Sequence, residues 1–154
     1  MEPVSAIPYL LQHTATMMLR QSDQVLQERL GIGVSQLRIL TMLEHDPSAR
    51  QRQIADRLGQ TEASISRQIK LLAEKGYLTV SINPKSRREH LATITPKGLK
   101  IMVAAKEVLE MYYQPIDELL GEKQRKALAE SLVALHAHTC IPGKPYACDH
   151  PYGI

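Results

Sequence analysis

Two groups of side chains in this 154-residue chain could do chemistry. The first runs from Thr61 to Arg88. Thr61, Ser64 and Ser66 carry small hydroxyls, Arg67 and Lys70 follow them closely, and Lys85, Arg87 and Arg88 crowd a stretch farther on. Hydroxyls and cations in this order suit a polyanion. A guanidinium can pair with a guanine edge through two hydrogen bonds, worth about 1–3 kcal/mol of discrimination, whereas an ammonium meets a phosphate as a point charge. The second group lies near the C-terminus: His136, His138, Cys140, Cys148 and His150. Imidazoles and thiolates are ligands that zinc and related metals prefer. Cys140 and Cys148 could instead form a redox pair, within one chain or across a dimer. The spacings His136-x-His138-x-Cys140 and Cys148-x-His150 are not those of a structural zinc site. A metal site, a redox pair and an irregular tail with incidental ligand-type residues therefore all stay open.

Charge separates the first group from the rest of the chain. The net charge is only +3, but residues 50–100 hold eleven Lys/Arg against four Asp/Glu, a net +7. The remainder holds eight against twelve, a net −4. A confined basic region is the electrostatic footprint of a nucleic-acid binder, although a solvated basic face on an ordinary domain gives the same count.

The elements that must position these groups are mostly helical. Tyr9 to Leu30 places Leu11, Ala15, Met18, Val25, Leu26 and Leu30 at helical spacing, and Gly31 and Gly33 end the segment. Ser35 is the expected cap of a second helix, Gln36 to Glu44. Gln51 to Leu58 is a short helix broken by Gly59-Gln60. Thr61 caps the next, which runs to Glu74 or Lys75 and stops at Gly76. At about 100° per residue, Ile65, Ile69 and Leu72 of that helix share one side, and Ala63, Arg67, Lys70 and Glu74 lie opposite. Leu78, Val80 and Ile82 alternate as a strand, Asn83-Pro84-Lys85-Ser86 turns, and Glu89 to Thr95 returns. Pro96 opens a helix capped by Thr95 that heads for Tyr113, where Pro115 should kink or end it. Gly121 and Glu122 begin a last helix with Leu128, Leu132 and Leu135, and the chain becomes irregular after His138. The expected fold is mainly α with a small β wing.

A helix pair joined at a glycine turn and followed by a basic hairpin fits DNA. The first helix braces the second, the second enters the major groove, and an arginine at the hairpin tip can reach the minor groove. Here the residues resemble a known family. Gln53-Ile54-Ala55-Asp56-Arg57-Leu58-Gly59, Ser64-Ile65-Ser66-Arg67, Leu72-Ala73-Glu74-Lys75-Gly76-Tyr77-Leu78, Arg87-Arg88 and Ile94-Thr95-Pro96-Lys97-Gly98 look like the MarR family of bacterial regulators. No one piece is specific; their order and spacing carry the resemblance. It implies a winged helix-turn-helix lobe at 35–98, dimerisation helices at 1–34 and 99–138, and a tail at 139–154. It further implies a homodimer on a pseudo-palindromic operator in double-stranded DNA, often a repressor released by a small ligand or by oxidation. One departure concerns the wing. The family usually has aspartates before its arginines, and this chain has Asn83 and Ser86.

The family often binds small aromatic carboxylates or phenols between the dimer region and the DNA-binding lobe. Tyr9, Tyr112, Tyr113, Met17, Met18, Met42, Met102 and Met111 could wall such a site or simply be core. No cofactor is expected. A phosphate-binding glycine loop, a nucleophile motif and paired carboxylates are all missing from the sequence, which argues against an enzyme. No apolar run approaches the roughly 20 residues that span a bilayer, and the start Met1-Glu2-Pro3 lacks the features of a secretory signal. The expected location is the cytoplasm.

Overall fold

The computed structural model describes residues 6–83 and 86–140, with residues 83 and 86–90 described by backbone alone. Six helices and a hairpin follow in the order α1 (Ile7–Leu30), α2 (Val34–His45), α3 (Gln51–Leu58), α4 (Glu62–Glu74), β1 (Leu78–Asn83), β2 (Ser86–Ile94), α5 (Pro96–Leu119) and α6 (Glu122–Thr139). The fold is mainly helical with a small antiparallel wing, as the periodicity predicts. Among the described residues no helix is long and apolar enough to cross a membrane.

Several boundaries differ from expectation, and at three of them the contacts show why. The second helix starts at Val34, and Gly33 rather than Ser35 is its cap. The Val34 N–H donates to Asp23 Oδ1 at 2.8 Å, and the Gly33 N–H donates to Gln36 Oε1 at 3.3 Å. A carboxylate from α1 thus satisfies the open start of α2, which leaves the Ser35 hydroxyl for another partner. Pro115 does not end α5, which continues to Leu119. The proline forfeits one backbone bond, but Arg125 Nη1 donates to the Asp117 carbonyl at 3.2 Å and ties the last turn to α6. The return strand begins at Ser86, not Glu89, because a bulge between Ile82 and Asn83 shifts the pairing from Ile82↔His90 to Asn83↔Ser86.

Two clusters hold the chain together. Ile39, Leu40 and Leu43 of α2, Ile54 of α3, Ile65, Ile69 and Leu72 of α4, and Leu78 at the base of the wing form the larger one. Leu26, Ile32, Ala105 and Val108 form the smaller, which binds α1 to α5. The sequence has neither Phe nor Trp, so both cores are built from aliphatic side chains with Met102 at the margin. By contrast α6 buries none of its residues, and Leu128, Leu132 and Leu135 stay 41–45% exposed at i, i+4, i+7 spacing.

The wing is closed at its base by the start of α5. Thr95 Oγ1 donates to the Gly76 carbonyl at 2.7 Å and accepts from the Gly98 N–H at 3.0 Å, while the Thr95 N–H donates to the Tyr77 carbonyl at 3.0 Å. Gly98 is required by this contact. A Cβ there would stand 2.2 Å from the Tyr77 carbonyl oxygen and 2.8 Å from Ile94 Cγ2. Backbone cannot yield as a flexible side-chain tip can. Gly98→Ala is therefore expected to destabilise the protein by about 1–3 kcal/mol in urea denaturation. A variant as stable as the wild type would show that the joint tolerates a methyl group.

Candidate nucleic-acid interface

The interface is assembled from the α3–α4 turn outward. The Arg50 N–H donates to Gln53 Oε1 at 2.8 Å, opening α3. Gly59, at φ +62°, closes it with a left-handed conformation that a side chain would strain. The Gln60 N–H then donates to the Ala55 carbonyl at 3.0 Å, and Thr61 starts α4 by accepting the Ser64 N–H on Oγ1 at 3.2 Å. This cap supplies one partner that the first turn of any helix lacks.

Burial divides α4 along the line the sequence predicts. Ile65, Ile69 and Leu72 are buried, while Ala63, Ser66, Arg67, Lys70 and Glu74 are exposed. Lys70 Nζ lies 4.0 Å from the Glu74 carboxylate with both side chains largely in solvent, a pairing weak enough for a phosphate to displace. Arg67 forms no ion pair among the described residues. Ser64 differs from its neighbours: it is half-buried, and its hydroxyl donates to Gln60 Oε1 at 3.2 Å. Gln60 Nε2 in turn donates to the Ser35 hydroxyl at 2.9 Å. The sequence shows Gln60 only as part of a helix break; a polar amide at that turn was the available signal for this link.

Not every cation of the basic segment faces outward. Lys75 Nζ donates to the Gly31 carbonyl at the end of α1. Lys97 Nζ donates to the Lys75 carbonyl at 2.7 Å and sits 5.1 Å from the centroid of the Tyr77 ring. These two lysines bind open carbonyls at the ends of α1 and α4 and favour the negative ends of both helix dipoles. In the wing, Arg87 and Arg88 lie on β2 by their backbone. Lys85 falls outside the described residues.

The second group of candidates does not gather. His136 and His138 are two apart on α6, so they leave the helix in nearly opposite directions. Cys140, half-buried, closes the helix with its N–H on the His136 carbonyl at 2.7 Å. Among the described residues no three His, Cys, Asp or Glu side chains converge as a metal site. Cys148 and His150 lie outside the described residues, and with them the far half of any redox pair.

A groove opens between α1 and α2, walled by Leu19, Arg20, Asp23, Ser35 and Arg38 and reaching Gln60. Its two arginines are exposed. None of the tyrosines and methionines suggested as pocket walls lies here. Met102 is core and Met42 packs against it, the Tyr113 hydroxyl bonds Ser22 Oγ at 2.7 Å, Tyr112 donates to Gln21, and Tyr9 stacks on His13. Met111 and Tyr113 do line a second groove along α5, but with Glu107, Glu110 and Asp117, which would repel a carboxylate.

The sequence model of the MarR family matches residues 30–89. No curated protein sequence matches the chain. Among solved structures, the crystal structure of MarR is similar with a TM-score of 0.75 and 21% identity, covering 83% of this chain and 96% of that one. MepR of S. aureus, solved as a complex with DNA, has a TM-score of 0.68 and 21% identity over 84% of this chain and 95% of its own. CouR from Rhodococcus jostii RHA1, solved bound to p-coumaroyl-CoA, has a TM-score of 0.67 and 20% identity over 88% of this chain and 94% of its own. At such identities the likeness is one of fold. Residues 30–89 match the model of the MarR family, and the helices around them complete the fold of the solved structures that the chain resembles.

Proposed function

We propose that the chain is a homodimeric repressor that binds a pseudo-palindromic operator in double-stranded DNA and leaves it when a small anionic ligand binds. The observation that carries this reading is the two-sided α4: its apolar side is spent on the core, and its exposed side offers Arg67, which forms no ion pair among the described residues. In this reading Arg67 reads a base edge in the major groove, and Ser66 and the small start of the helix let the backbone come close. Thr61 and Ser64 set the first turn against the phosphates, and Lys70 meets one. Lys85, Arg87 and Arg88 follow the backbone into the adjoining minor groove. The MepR complex with DNA, in the same fold, supports this use of the lobe.

The exposed leucines of α6 support the homodimer, as do Ile7 and Leu10 near the start of α1, 44% and 47% exposed. A second copy would cover what one chain leaves open. The groove with Arg20 and Arg38 supports an anionic effector, and CouR, in this fold, holds an acyl-CoA. Such a regulator works in the cytoplasm, beside its DNA.

Two outcomes are expected. In gel shifts on a duplex selected by the protein from random DNA, Arg67→Ala and Arg88→Ala should each weaken binding about 5- to 150-fold, and wild-type affinity should fall steeply with salt as phosphate contacts release counterions. If both variants bind as tightly as wild type, the assigned roles are wrong. In light scattering after gel filtration, a Leu128→Glu, Leu132→Glu double variant should run as a monomer where the wild type runs as a dimer. An unchanged mass would place the dimer contact elsewhere.

A further inference from the structure

Gln60 joins two places that the proposed function uses separately. Its backbone closes the turn after Gly59, which leaves the carboxamide beside the first turn of α4. Both ends of that carboxamide are engaged: Nε2 donates to Ser35 Oγ at 2.9 Å on α2, and Oε1 accepts from Ser64 Oγ at 3.2 Å on α4. The same side chain walls the groove that holds Arg20, Asp23 and Arg38. Ser35 is itself fixed by its place in α2, because Asp23 of α1 holds the preceding Val34 N–H at 2.8 Å. Polar contacts therefore run without a gap from α1, through the start of α2 and Gln60, to the helix that would face DNA.

We infer that Gln60 is a positioning residue whose carboxamide ties the first turn of α4 to α2, and that this tie sets how well α4 prefers its operator. The operator preference rests on the DNA-binding reading; the clamp itself does not. A carboxamide offers one acceptor oxygen and one donor nitrogen, so it can span a donor and an acceptor on two different helices. The backbone bond from Gln60 to Ala55 and the Thr61 cap hold the turn from within, and the carboxamide is the side chain that ties it to α2. Loss of one such neutral hydrogen bond changes an equilibrium about fivefold, enough to bias a regulator and small enough to reverse.

The test uses the full chain with Gln60→Met, which keeps the length of the side chain without its hydrogen bonds, Ser35→Ala, and the two combined. Amide hydrogen exchange at Ser64 and Ile65 is followed in the free protein. Affinity is measured for a selected operator and for a scrambled duplex of equal length and charge. Both single variants should speed exchange at the start of α4 and cut the preference for operator about fivefold, with melting temperature nearly unchanged. The double variant should be no worse than Gln60→Met alone, because the two changes break one link. Unchanged exchange and preference in Ser35→Ala would overturn the inference, as would effects that add or a parallel loss on both duplexes. A wild type that does not prefer operator overturns the DNA-binding reading, and the exchange rates still decide the clamp.

Discussion

The close packing of the first turn of α5 against the exit of α4 is the constraint on which the rest of the molecule depends. Gly98 lies where a Cβ would strike the Tyr77 carbonyl, and Thr95 binds the Gly76 carbonyl and the Tyr77 carbonyl from the same side. This one joint shuts the base of the wing, fixes where α4 ends and sets the course of α5. Because α5 also packs on α1 through Leu26, Ala105 and Val108, the orientation of the exposed face of α4 is tied to the helices at both ends of the chain. Lys97 and Lys75 extend the joint by binding the carbonyls of Lys75 and Gly31.

Much of this was legible in the sequence because the signals were redundant. The inner face of α4 follows from the spacing of Ile65, Ile69 and Leu72, and both the cap at Thr61 and the stop at Gly76 bracket the same helix. Where a boundary depended on a distant partner, local reading failed. The cap of α2 is shared with Asp23, eleven residues upstream, and no local rule singles out that carboxylate. Pro115 reads as a kink or a stop because its missing N–H is visible, whereas the Arg125 contact that ties down the last turn belongs to the next helix. The groove shows the same limit. Aromatic and sulfur side chains suggested a pocket by type, yet the one with cations is formed by Arg20, Asp23, Ser35 and Arg38, which helical spacing places on polar faces.

The charge count also changes meaning once the side chains are placed. Eleven cations in residues 50–100 suggest a continuous basic surface. Lys75 and Lys97 are instead spent on helix ends, and Lys70 is loosely matched by Glu74. In the proposed function such lysines raise the local potential without touching a base, and would draw DNA in from a distance more than discriminate among sequences. Arg67, on the exposed face of α4, is an outward cation with no such tie among the described residues.

The bare leucine row of α6 has a consequence for how such a protein behaves at different abundances. A helix of this length with nothing buried gains little from its own chain, since isolated helices are marginal in water. If a second copy covers it, folding of that end and pairing become one event, and mass action governs both. Below the dissociation constant of the pair, the concentration of competent protein rises with the square of the total. Halving synthesis would then cut operator occupancy about fourfold rather than twofold, a sharper response to dosage than any single DNA contact could supply.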